Sequence, residues 1–193
     1  MRHSNSGCHT RTALTRAVGA CYRLGVKESD DHPNPPLEAP FLRAWAERKP
    51  GQLIGKGHPA GDFLEAYDWK VLEEGPGLLR IQAHLPEHVR NPRGQLFGGF
   101  TPTYVDLVAL FTVRAGAREV EARFRSWLAT TNMRVDYFEP ILGPDFVIES
   151  RLMKKRGRTN FVETRFLDMD GELAVFAVTT MREVPLDGPL GDG

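Results

Sequence analysis

"NPRGQLFGGFTPTYVDLVALF" occupies residues 91–111, and its reading decides the architecture of the chain. Phe100, Tyr104, Leu107, Val108 and Phe111 fall at i, i+4, i+7, i+8 and i+11, one broad apolar stripe of an α-helix. Ala109, Leu110 and Val113 carry apolar character round the other faces, so the helix is expected to be nearly engulfed. Pro102 does not break it. A helix that starts at Gly98 or Gly99 holds Pro102 in its first turn, where the missing N–H has no intrahelical acceptor to lose. Between Arg93 and Arg114 the one charged side chain is Asp106. A carboxylate in so apolar a setting is costly unless it is paired or has chemistry to do. Arg114 and Arg134 are the partners for a purely structural pairing; catalysis is the other reading.

On either side of this helix the hydrophobic period changes to two. Upstream, Tyr67, Trp69 and Val71 alternate with Asp68 and Lys70; after "EEGPG", Leu79, Ile81, Ala83 and Leu85 alternate with Arg80, Gln82 and His84. That pattern predicts a hairpin with one buried face. Downstream, "GAREVEARFRSW" reads as helix end and loop. Thr131, Met133, Val135 and Tyr137 then alternate with polar residues, and Phe146, Ile148, Ser150 and Leu152 form the next strand after "EPILGPD". "NFVETRFL" and "ELAVFAVTTM" make a second hairpin through "DMDG", a strong turn signal. Two strands, a long apolar helix and about four more strands predict an α+β domain, with an antiparallel sheet curled around one central helix. One sheet cannot cover such a helix completely, so a second copy of the chain is expected to help.

The remaining composition narrows the function classes. Lys+Arg and Asp+Glu each number 25 in 193 residues, so no bulk charge draws the chain to nucleic acid or an anionic membrane. No apolar run approaches the roughly 18 residues that span a bilayer. Cys8 and Cys21 give neither a disulfide framework nor metal spacing, which fits a reducing, cytoplasmic setting. The first 27 residues hold five Lys or Arg and no acid. That stretch is either a disordered extension or a transit peptide, with mitochondrial location as the alternative. The expected layout is an extension and proline-rich linker at 1–40, a short helix and loop at 41–60, the folded domain at 61–184 and a flexible tail at 185–193.

The pattern Asn91, Gly94, Gly98, Gly99 and Asp106 resembles the N-x-x-G-x-x-H-G-G-(x6)-D signature of hotdog-fold acyl-CoA thioesterases of the PaaI type. "TTNMRVDYFEP" (130–140) is similar to that family's T-x-x-(apolar)-x-V-x-(aromatic)-x-x-P strand, and "KKRGR" with "ETRFLDMDGELAVFAVTTM" to its last two strands. The resemblance spans roughly residues 61–184 and implies a hotdog domain, a homodimer or homotetramer, and metal-free hydrolysis of acyl-CoA, with CoA entering only as part of the substrate. By match, Asp106 becomes the catalytic carboxylate, Gly98 the backbone donor to the thioester carbonyl, and Asn91 a residue that positions water or substrate. Gly99 and Phe97 would line the substrate. Phe97 departs from the pattern, standing where the family has His. Leu110 lacks a hydroxyl that some relatives carry.

The residues themselves suit that chemistry. A helix start offers unpaired N–H groups to a developing oxyanion, and glycine lets a ligand approach the backbone closely. Asp106 can serve as general base toward water or as nucleophile. Asn91 can hold water by its amide, or do ordinary turn chemistry before Pro92. Arg156, Gly157 and Arg158, in "KKRGR", suit the CoA phosphates; the alternative is a solvated hairpin tip. His58, His84 and His88 pair with no nucleophile or metal and read as structural or surface residues. Tyr67 and Trp69 read as core. Gly98 and Asp106 lie eight residues apart, about 12 Å along one helix. A catalytic base must sit about 3 Å from the atom it serves. One helix therefore cannot bring both groups to one carbonyl, whereas two antiparallel helices from paired copies can. Two other readings stay open: a dehydratase, which wants a His–acid pair that is missing near the helix start, and a non-catalytic acyl-CoA or acyl-carrier-protein binding module, which Phe97 keeps alive.

Overall fold

A computed structural model of the chain describes residues 48–115 and 126–185. The extension at 1–40, most of the short helix expected at 41–49, the stretch 116–125 and the tail from 186 lie outside the described residues. Six strands form one antiparallel sheet: β1 (Lys70–Gly75), β2 (Leu78–His84), β3 (Ser126–Tyr137), β4 (Asp145–Arg156), β5 (Thr159–Leu167) and β6 (Leu173–Pro185). Their order across the sheet is β1-β2-β4-β5-β6-β3. A one-turn helix α1 (Pro59–Phe63) precedes the sheet, and the long helix α2 (Thr101–Arg114) connects β2 to β3 at the opposite edge. On its way α2 touches β2, β4, β5, β6 and β3, so the sheet wraps it as the pattern predicts. Among the described residues no helix is long and apolar enough to cross a membrane.

Turn chemistry sets the hairpins. Pro76 and Gly77 close β1–β2, with Gly77 at φ 68°. Proline followed by a glycine at positive φ is the requirement of a type II turn. A Cβ on Gly77 would also lie 2.9 Å from the Leu152 Cβ, so this position excludes side chains twice over. At the β5–β6 turn the Asp168 carboxylate accepts from the backbone N–H groups of Asp170 and Glu172, at 2.9 and 2.8 Å.

The period-two reading of β2 holds: Leu79, Ile81, Ala83 and Leu85 are all buried. Three details differ from expectation. Tyr67 and Asp68 sit in a 3-10 turn (Ala66–Asp68), and β1 begins only at Lys70. Trp69 is nevertheless core, 1% exposed and stacked on Tyr104 at 5.3 Å. The loop-like segment before residue 61 contributes Leu53 and Ile54 to the same core, both fully buried. And β3 starts at Ser126, within the stretch expected to be loop.

The core centres on Tyr104, Phe146, Phe166 and Trp69. Phe146 stacks on Phe166 at 5.7 Å and tilts against Tyr104 at 5.6 Å. Burial, with the Glu65 charge adding, pushes the Tyr104 phenol well above its usual ionisation range, so it stays neutral. Phe146→Ala empties the centre of this cluster and is expected to cost about 3–5 kcal/mol of unfolding free energy, read by chemical denaturation at unchanged m-value.

His58 supplies a pH-dependent element. Its Nδ1 accepts from the Gly61 N–H at 3.0 Å, capping α1. Burial lowers its pKa first of all, Asp62 opposes that, and Arg114 adds to the lowering. A histidine depressed in the fold takes up its proton more readily when unfolded. Its stabilising contribution is therefore whole above the unfolded value of about 6.5 and is lost as pH falls through the lower folded one. The thermal midpoint is expected to drop across that window. His58→Asn, which keeps a capping oxygen but does not titrate, flattens the drop.

Candidate active site

The loop before α2 is built by its own hydrogen bonds. Asn91 organises it: its Oδ1 accepts from the N–H groups of Arg93 (2.8 Å) and Gln95 (3.1 Å), and its Nδ2 donates to Gln95 Oε1 (3.0 Å). Of the two roles open to Asn91 the turn role is thus visible, while its second Nδ2 hydrogen has no partner among the described residues. Arg90 donates to the Leu85 carbonyl, and the N–H groups of Leu96 and Phe97 bond to Ile141 and Val89. This frame delivers the chain to a 3-10 turn, Gly98–Phe100, which runs straight into α2 with Pro102 in the first turn.

Gly98 and Gly99 are both exposed, and neither N–H has a partner among the described residues. Phe97 is half exposed, packs edge-on against Phe100 at 5.6 Å, and lies over Gly99. A Cβ on Gly99 would come within 2.7 Å of the Phe97 ring, so the glycine makes room for that ring as well as for a ligand. At Gly98 a Cβ would meet only Tyr137, at 3.7 Å.

Helix α2 is buried on most faces, but Thr103, Asp106, Leu110 and Val113 form a stripe that the sheet leaves partly open. The nearly engulfed helix thus keeps one uncovered line, as expected of a helix that one sheet cannot cover completely, and Asp106 is its exposed member. Neither arginine pairs with it: Arg134 bonds Asp136 and Arg114 bonds the Ser126 carbonyl. The Asp106 carboxylate instead accepts a hydrogen bond from the Thr130 hydroxyl on β3. Seven residues further along the same strand, the Tyr137 hydroxyl donates to the Gly98 carbonyl at 2.8 Å. Strand β3 therefore ties down both the middle of the helix and its start.

The "KKRGR" segment is the tip of the β4–β5 hairpin, with Gly157 at φ 56°. Lys155 is engaged with Glu183 at 2.6 Å; Arg156 and Arg158 are exposed. Thr159 pairs with Arg182, and Arg182 with Ala129, beside Thr130. Two strand spacings of about 4.8 Å thus separate Thr159, at the base of the tip, from Ala129, the neighbour of Thr130. The glycines lie at the other end, beside Tyr137. The histidines serve elsewhere: His84 against Asp145 at 3.3 Å, His88 against the Phe63 carbonyl at 2.6 Å. Among the described residues no group of three His, Cys, Asp or Glu could hold a metal.

This architecture has solved counterparts. A Haemophilus influenzae thioesterase matches with a TM-score of 0.56 at 10% identity, covering 67% of this chain and 85% of that one. A Streptococcus pneumoniae protein described as a hypothetical thioesterase, solved with coenzyme A, matches at 0.52 and 14% identity over 61% of this chain and 87% of that one. The fold is the hotdog. In sequence, a Saccharolobus solfataricus protein whose esterase name is provisional is 25% identical over 122 residues, 62% of this chain and 81% of the relative. No protein-family model matches the chain. The structural neighbours are thioesterase-superfamily proteins, and at these identities the likeness carries the fold.

Thr130 and Tyr137 lie outside the set of site residues that the sequence pattern points to. The threonine pair opening "TTNMRVDYFEP" was the available signal. Nothing in the sequence sets which hydroxyl on a strand faces a helix 24 residues earlier.

Proposed function

We propose that the chain is an acyl-CoA thioesterase of the PaaI type, working as a homodimer or a homotetramer with two composite sites per pair. The observation that carries this reading is the exposed Asp106 carboxylate, held by Thr130 on the open stripe of an otherwise buried helix. Asp106 and the glycines are some 12 Å apart along the helix. A second copy turned by a twofold axis brings its Gly98 end opposite the first copy's Asp106. Among the described residues the twelve-residue edge strand β3 has a neighbour on one side only, and it lies beside that stripe, which suits pairing of two copies there. Asp106 takes a proton from water as the water oxygen attacks the thioester carbon. The Gly98 N–H of the other copy holds the oxyanion, the C–S bond breaks, and the CoA sulfur takes the proton. Direct attack by the carboxylate, giving an anhydride that water then opens, is the variant route. Arg156 and Arg158, exposed at the hairpin tip, would take the CoA phosphates, and Phe97, Gly99 and the spare Asn91 hydrogen would line the approach.

Free-thiol release from a panel of acyl-CoAs tests the reaction and the acyl preference together. The binding-module reading is favoured by one feature, the Phe97 ring lying over Gly99 where the family has an imidazole. Tight acyl-CoA binding with no thiol release across the panel would replace the enzyme reading with that one.

A further inference from the structure

The catalytic reading needs the N–H groups at the helix start to keep one orientation, and consecutive glycines are poorly suited to hold it. Glycine visits positive and negative φ alike, so the Gly98–Gly99 peptide can rotate as a unit and exchange its N–H for its carbonyl. The usual restraint is absent: Phe97 and Phe100 occupy the cap positions, and neither makes a side-chain capping bond. What holds the peptide is the Tyr137 hydroxyl, 2.8 Å from the Gly98 carbonyl, together with the Thr101 N–H on the same oxygen. In a trans peptide the C=O and N–H point opposite ways. With the Gly98 oxygen turned toward β3, the Gly99 N–H is turned away from it.

We infer that Tyr137 is a positioning residue whose hydroxyl locks the Gly98–Gly99 peptide, fixing the Gly99 N–H as a second donor to the thioester oxygen beside the Gly98 N–H. The purpose of the lock rests on the thioesterase reading; its geometry does not. Tyr137 is 52% exposed, so its ring adds little to the core, and the phenolic oxygen is the part with a defined task. Because Tyr137 and Thr130 share β3, the strand that orients the carboxylate also orients the peptide whose N–H would act on the thioester oxygen opposite a partner's carboxylate.

Tyr137→Phe removes one oxygen and leaves the ring. Losing one neutral hydrogen bond shifts the aligned peptide population by up to about tenfold, so kcat is expected to fall by about that factor. KM should stay within about twofold, because the lock acts on the transition state more than on ground-state binding. The thermal midpoint should not move, and in 15N-edited NMR spectra the Gly98 and Gly99 amide resonances should shift and broaden. Unchanged glycine resonances, or shifted ones with an unchanged kcat, would overturn the proposal. If the wild-type chain releases no thiol from any acyl-CoA, the functional reading fails by itself; the resonances then decide the lock alone.

Discussion

Asp106→Asn is expected to lower thioester turnover by about 10³-fold while the protein folds and assembles as before. The substitution is isosteric, and the amide oxygen can still accept from the Thr130 hydroxyl that holds the carboxylate. The side chain is exposed within its own chain, so no buried charge is stranded and no cavity opens. What disappears is the basic or nucleophilic oxygen. Acyl-CoA affinity, read by equilibrium titration, should survive, since the proposed binding groups, the apolar approach and the Arg156 and Arg158 tip, are untouched by the substitution. The loss should therefore fall on kcat. Thiol release gives the rate and sedimentation gives the assembly state. An Asn variant that turns over within tenfold of wild type would remove Asp106 from the chemistry, whatever the glycines do.

The parts of this site that could be read from sequence are those governed by local pattern. The helix announces itself by its apolar spacing, Pro102 marks its first turn, and Asp106 stands out because no other charge interrupts the run. The strands β2, β4, β5 and β6 follow from alternation and from turn residues whose chemistry is local, such as Gly77 and Asp168. Errors arise where local pattern and tertiary context diverge. Tyr67, Asp68 and Trp69 alternate as a strand would, yet Trp69 is buried by stacking on Tyr104 just outside β1. Ser126 and Trp127 follow a charged run and look like loop, yet they pair with β6 at the sheet edge. Leu53 and Ile54 are hidden by glycine and proline around them. The hydroxyls of Thr130 and Tyr137 act on residues 24 and 39 positions away. That relation depends on how β3 crosses α2, including the register shift between Thr130 and Asn132, and no periodicity encodes it. The direction of Asp106 was legible for a different reason: an apolar helix that cannot be covered by one sheet must leave some face open.

Whether two chains complete each other's sites is decided by mixing two inactive variants. Gly98→Val is the second variant beside Asp106→Asn. Gly98 has no positive φ, and a Cβ there meets Tyr137 at an ordinary 3.7 Å, so the fold should accept a side chain. The branched group would then occupy the approach to the donor N–H, and activity should fall by about 10²-fold or more, the effect of losing an oxyanion donor. Each variant alone has two dead sites per dimer. In a mixed dimer of the composite kind, one site combines both lesions and the other combines an intact Asp106 with an intact Gly98. Random reassortment of equal amounts makes half the dimers mixed, with one live site of two, so activity should return to about a quarter of wild type. If Asp106 and Gly98 of the same chain formed a site, every site in every dimer would keep one lesion, and mixing would restore nothing. Co-refolding from denaturant, followed by thiol release, separates the two cases. The geometry favours recovery because the two regions are held seven residues apart on β3, Asp106 by Thr130 and the Gly98 carbonyl by Tyr137, and a single rigid helix cannot fold back to join them.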